Sequence, residues 1–78
     1  MRKTITINSV SDIQKINSII TQYPFEVWIH SDNSIVDAKS ILGMFVLGLN
    51  EPMYMVIDDD VNPDSLIKEL SPYVNFLD

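Results

Sequence analysis

The chain contains no cysteine and only two glycines among its 78 residues. Without cysteine there are no disulfides and no cysteine-based zinc sites, a composition that fits a reducing, cytoplasmic setting. With glycine confined to Gly43 and Gly48, no glycine-rich loop exists to cradle a phosphate. Cationic side chains are also few: 5 Lys and Arg stand against 11 Asp and Glu, a net charge of −6 with His30 neutral. That balance argues against a partner made of duplex nucleic acid and against an anionic membrane surface, since both need a basic face. No apolar run approaches the roughly 18 residues of a spanning helix. Met1-Arg2-Lys3-Thr4 leads into alternating residues and not into the apolar core of a signal peptide. What the chain does have is a hydrophobic content of 46%, enough to exclude disorder and to build one small domain over residues 1–78.

Local patterns place the elements. Thr4-Ile5-Thr6-Ile7 alternates polar and apolar residues, as a strand with one buried face does. Ser9 or Ser11 opens a helix; Ser11-Asp12-Ile13-Gln14 has the form of a capping box. Ile13, Ile16, Ile19, Ile20 and Tyr23 give that helix an apolar stripe, and Pro24 stops it near Gln22. Phe25 to His30 and Ser34 to Asp37 read as two strands joined by the turn residues Ser31-Asp32-Asn33. Ser40 is an N-cap candidate for a helix running through Leu47 and ending near Gly48. Met53-Tyr54-Met55-Val56-Ile57 is a strand. Asn62 caps a last helix with Pro63 at its first position and Leu66, Ile67, Leu70, Val74 and Leu77 inside, kinked or restarted at Pro72. The order β-α-β-β-α-β-α predicts an α+β open-faced sandwich, a four-stranded antiparallel sheet with three helices on one face.

Few residues point to chemistry. Asp58, Asp60, Asn62, Asp64 and Glu69 fall at the spacing of a calcium-binding loop. The position that needs a free backbone is Pro63, whose ring fixes φ, so the segment reads as a solvated acidic turn and helix cap. His30 has no second histidine and no converging partners for metal or base chemistry, and it reads as a solvent-facing strand-end residue. Trp28 alternates with Val27 and Ile29, which puts it either on an open sheet face or beneath the N-terminal strand. No metal, cofactor or catalytic residue is expected. The segment Ser40 to Leu49 is unusual in another way. It carries seven apolar residues, and successive helical positions lie about 100° apart, so one sheet cannot cover them all. An uncovered apolar side marks a contact surface.

The run Val36-Asp37-Ala38-Lys39-Ser40-Ile41-Leu42-Gly43-Met44-Phe45-Val46-Leu47-Gly48 closely resembles the regulatory-serine segment of HPr, the histidine-containing phosphocarrier of the bacterial sugar phosphotransferase system. The element order is similar to the HPr fold as well, so the resemblance covers most of the chain. It implies that Ser40 corresponds to the family's regulatory phosphorylation site. It also implies that Ile41, Leu42, Met44 and Phe45 lie on the helix with which the family docks its protein partners. One departure stands out. The phosphorylated histidine of HPr lies in a His-Ala-Arg-Pro motif at the start of the first helix. Here that stretch reads Asn8-Ser9-Val10-Ser11-Asp12-Ile13-Gln14-Lys15, with no imidazole and with a carboxylate that repels phosphate.

The resulting expectation is a cytoplasmic, HPr-like, non-enzymatic protein that has lost the phosphocarrier role and binds a protein partner, or a second copy, through the Ser40–Leu49 helix. Two alternatives stand beside it: a phosphocarrier with an atypical acceptor, and a homo-oligomeric structural module of unknown pathway.

Overall fold

The computed structural model describes residues 1–77. Its elements in chain order are β1 (Arg2–Thr6), α1 (Val10–Ile20), β2 (Val27–His30), β3 (Ile35–Asp37), α2 (Ile41–Met44), β4 (Met53–Ile57), α3 (Asp64–Leu70) and β5 (Asn75–Phe76). The strands form one antiparallel sheet in the order β3-β2-β4-β1-β5. Alternation decides its two faces. Ile5 pairs with Met53, Val27 with Ile57, and Ile29 with both Met55 and Val36, so these residues share the face covered by the helices. Ile13, Ile16 and Ile20 of α1 and Leu66 and Leu70 of α3 close over that face, and all are buried. Fully removing such side chains from water contributes about 1.5–3 kcal/mol each before ordering costs.

The opposite face is open. Trp28 lies there, between Asp37 on one side and Val56 on the other, and His30 pairs with Ile35 and Tyr54. Arg2 reaches across the same face, with its guanidinium carbon 3.8 Å from the centre of the Tyr54 ring.

Several boundaries differ from the pattern-based expectations. Ser9, not Ser11, caps α1: its backbone is extended and its hydroxyl accepts the Asp12 N–H at 3.1 Å. Asn62 does supply a side-chain oxygen to the start of α3, accepting from the Asp64 N–H at 2.9 Å, but Pro63 stands just ahead of the helix. The largest difference lies after Leu70. The helix stops there instead of continuing through Pro72. A turn carries Val74 into the core, and β5 then adds a fifth strand to the four expected, pairing with β1 along its outer edge. Leu77, expected inside, is exposed, because its N–H continues the pairing by donating to the Thr4 carbonyl at 2.8 Å.

The acidic turn uses its oxygens locally. Asp58 accepts from the Asp60 N–H, and Glu69 lies on α3, where it accepts a hydrogen bond from the Tyr23 hydroxyl at 2.7 Å. Among the described residues no three carboxylates or histidines converge as a metal site would require.

The Tyr23–Glu69 hydrogen bond ties the end of α1 to α3, and it holds the Tyr23 phenol above its usual pKa, aided by burial and the charge of Glu69. The folded protein therefore keeps a proton that the unfolded chain releases near pH ~10. Stability from this contact is present below that pH and is lost as pH rises through the folded value. Chemical denaturation on an alkaline series should show this decline, and Tyr23→Phe should flatten it; an unchanged profile in the variant would contradict the assignment.

Candidate functional site

Most positions of the Val36–Gly43 run have a structural task. Val36 is buried against the core. Asp37 accepts the Lys39 N–H on its carboxylate at 2.9 Å and the Ser40 N–H on its carbonyl at 2.9 Å, which folds the chain back on itself. Ala38 is fully buried; its N–H donates to the Val27 carbonyl and its own carbonyl accepts the Asn17 side-chain amide at 2.9 Å. The Lys39 ammonium donates to the Tyr23 carbonyl at 2.7 Å, just past the end of α1, where the helix dipole favours a cation. Two side chains, Asn17 and Lys39, thus tie α1 to the segment that launches α2.

Ser40 then caps α2. Its backbone is extended, and its hydroxyl accepts the Gly43 N–H at 3.3 Å. Gly43 fits closely beside it: a Cβ there would stand 3.4 Å from the Ser40 hydroxyl oxygen and 3.6 Å from the Val36 Cβ. Ser40→Ala should lower stability by about 0.5–2 kcal/mol and Ser40→Asp by much less, because the carboxylate also accepts from the helix N-terminus. Thermal melts of the three proteins check this; identical midpoints would remove the cap from the account.

The helix itself is a single α-turn that tightens as it ends. Met44 and Phe45 make hydrogen bonds four residues back, to Ser40 and Ile41, whereas Val46 and Leu47 bond three residues back, to Gly43 and Met44. A three-residue spacing stacks Met44 and Leu47 on one side, and both are buried, Met44 completely. The rest of the run points outward. Leu42 is 78% exposed, Val46 66% and Phe45 43%, with Leu49 at the margin. Gly48 does not close the helix by left-handed backbone; among the described residues the one left-handed residue is Asn50, at φ 62°, a conformation Asn tolerates better than most side chains. Its N–H donates to the Ile7 carbonyl and anchors the loop to the end of the first strand.

The docking set expected from the sequence is corrected accordingly. Leu42 and Phe45 are outward, and Ile41 is half-buried. Met44 is a core residue with no surface to offer, because its place on the α-turn directs it inward. Val46 belongs to the exposed set instead, and the apolar residues around it in sequence concealed that. Ile35, on the sheet's edge strand, is a further exposed apolar residue.

A cavity of about 420 Å³ adjoins Val46. It lies between the β2–β3 turn, with Ser31, Asp32 and Ser34, and the α2–β4 connection, with Gly48 and Glu51. The turn is held by hydrogen bonds from the Ser31 N–H to the Ser34 carbonyl and from the Ser34 N–H to the Ser31 hydroxyl. A Cβ at Gly48 would collide with the Glu51 carboxylate, so glycine here admits that side chain against the backbone.

At the start of α1, Ser9 spends its hydroxyl on the cap and Asp12 occupies the first turn. His30 is on β2, not on α1, and is partly exposed on the open face beside Tyr54 and Ile35. Among the described residues no helix is long and apolar enough to cross a membrane.

No family model and no curated protein matches the chain. Solved structures do. HPr-C-His from Thermoanaerobacter tengcongensis is similar with a TM-score of 0.73 and 21% identity, over 92% of this chain and 88% of its own. The phosphocarrier protein HPr from Bacillus anthracis is similar with a TM-score of 0.75 and 16% identity, over 96% of both chains. At these identities the likeness establishes the fold: an HPr-like open-faced sandwich, as the sequence pattern predicts.

Proposed function

We propose that this HPr-like chain is a non-catalytic, cytoplasmic regulatory or protein-binding module that works through the surface of α2 and has given up phosphoryl carriage. The observation that carries the reading is the outward set Leu42, Phe45 and Val46 on a helix whose inner side is already satisfied by Met44 and Leu47. Burying such side chains is favourable, and leaving them in water is normal for a contact surface but contributes nothing to a lone monomer's stability. The start of α1 supports the second half of the proposal. A phosphohistidine needs an imidazole nitrogen with donors around the phosphate, and the helix start offers Ser9, already engaged, and Asp12, which repels an anion. Ser40 remains the candidate for regulatory phosphorylation: it is exposed, and a phosphate would stand next to the docking residues.

The test is a charged residue in the contact set. Leu42→Glu is expected to leave the melting temperature nearly unchanged and to abolish association, with a partner or with a second copy, measured by sedimentation or by titration against the partner. Association that survives this substitution would sink the α2 reading.

A further inference from the structure

The cavity beside α2 carries the opposite chemistry to the apolar residues that border it. Two carboxylates line it, Asp32 from the β2–β3 turn and Glu51 from the α2–β4 connection. Among the described residues neither takes part in an ion pair. None of the chain's Lys or Arg residues lines the cavity. Apart from Lys39, the whole stretch from Ile16 to Ile67 holds no Lys or Arg, and the Lys39 ammonium is engaged by the Tyr23 carbonyl. Val46 belongs to both features, since it lines the cavity and is largely exposed on the apolar side. The surface is therefore an apolar ridge ending in an acidic hollow, with no internal cation to neutralise it.

We propose that this composite surface takes a basic, amphipathic segment of a partner protein. Apolar side chains of the partner cover Leu42, Phe45 and Val46, and an adjoining Arg or Lys side chain enters the hollow between Asp32 and Glu51. The inference rests on the proposal that α2 is a contact surface and adds the partner's chemistry. Charge complementarity selects this occupant. A second copy is disfavoured, because each copy carries a net charge of −6 and a two-fold contact through α2 brings two uncompensated acidic hollows together. A cation that enters a partly shielded cavity is screened less than one on open surface, so it contributes to selectivity as well as to encounter rate.

The experiment uses the whole chain and three short synthetic helical peptides with one apolar stripe, differing only in whether the flanking residue is Arg, Gln or Glu. Binding is followed by backbone-amide NMR. The expected result is that the Arg peptide binds about five- to tenfold more tightly than the Gln peptide and the Glu peptide more weakly still, with shifts at Asp32, Val46 and Glu51. The advantage should shrink as salt is raised. In the double variant Asp32→Asn, Glu51→Gln the Arg peptide should fall to the affinity of the Gln peptide, whose own binding stays unchanged. Equal binding of the Arg and Gln peptides on α2 would overturn the basic-partner proposal and leave the contact reading standing. Absence of shifts on α2 with all three peptides would overturn both. Self-association through α2 that Leu42→Glu removes would assign the surface to a second copy and overturn the basic partner.

Discussion

Met44→Ala should destabilise the protein by about 2–5 kcal/mol, while Leu42→Ala, two positions away on the same turn, should change stability by no more than about 0.5 kcal/mol. The contrast follows from burial. Met44 has no exposed surface, and Leu42 is 78% exposed. Deleting the Met44 side chain removes apolar contacts with the sheet and leaves a cavity that the short, glycine-containing turn can only partly collapse. A domain of this size, without disulfides, holds roughly 3–5 kcal/mol in total, so the first variant should be substantially unfolded at room temperature. Urea titrations of the two variants and the parent measure the difference. Comparable losses in both would mean that α2 is rotated relative to this description, and the contact set would have to be redrawn.

How far such inside and outside positions are legible from sequence depends on element length. Met53–Ile57 could be read at its final bounds, because an unbroken apolar run begins after the Glu51-Pro52 turn and ends at the aspartates. The face of α1 was legible too, since eleven residues give the 3.6-residue period room to declare itself. In α2 the period fails. One α-turn followed by tighter bonds changes the spacing from near four to three, and with seven apolar residues in the run nothing in composition separates Met44 from Val46. The surplus of apolar side chains was readable there, but the assignment of each residue was not.

The chain's C-terminal part misleads for a different reason. Leu70 and Val74 are four apart and both buried, which looks helical, yet Val74 reaches the core from a turn. The two-residue β5 has no pattern of its own and exists because β1 offers a free edge. The acidic hollow was likewise out of reach: Asp32 and Glu51 lie far apart in sequence and become neighbours only when the β2–β3 turn meets the α2–β4 connection.

The second large effect concerns phosphoryl transfer. An HPr-like carrier receives phosphate from enzyme I on an imidazole at the first helix. In this chain the hydroxyl at that helix start is held by the Asp12 N–H, the nearby carboxylate opposes an incoming phosphate, and the single histidine is on β2 within the open sheet face. A serine hydroxyl engaged as a cap lacks the neutral nitrogen nucleophile that the transfer uses. The measurement that tests the account most directly is incubation of the whole protein with phosphoenolpyruvate and enzyme I, beside an authentic HPr as positive control, followed by intact-mass analysis at neutral and acidic pH. The account predicts full labelling of the control and no phosphoryl adduct on this chain. A stoichiometric, acid-labile adduct, on His30 or anywhere else, would contradict it and return the protein to the phosphocarriers.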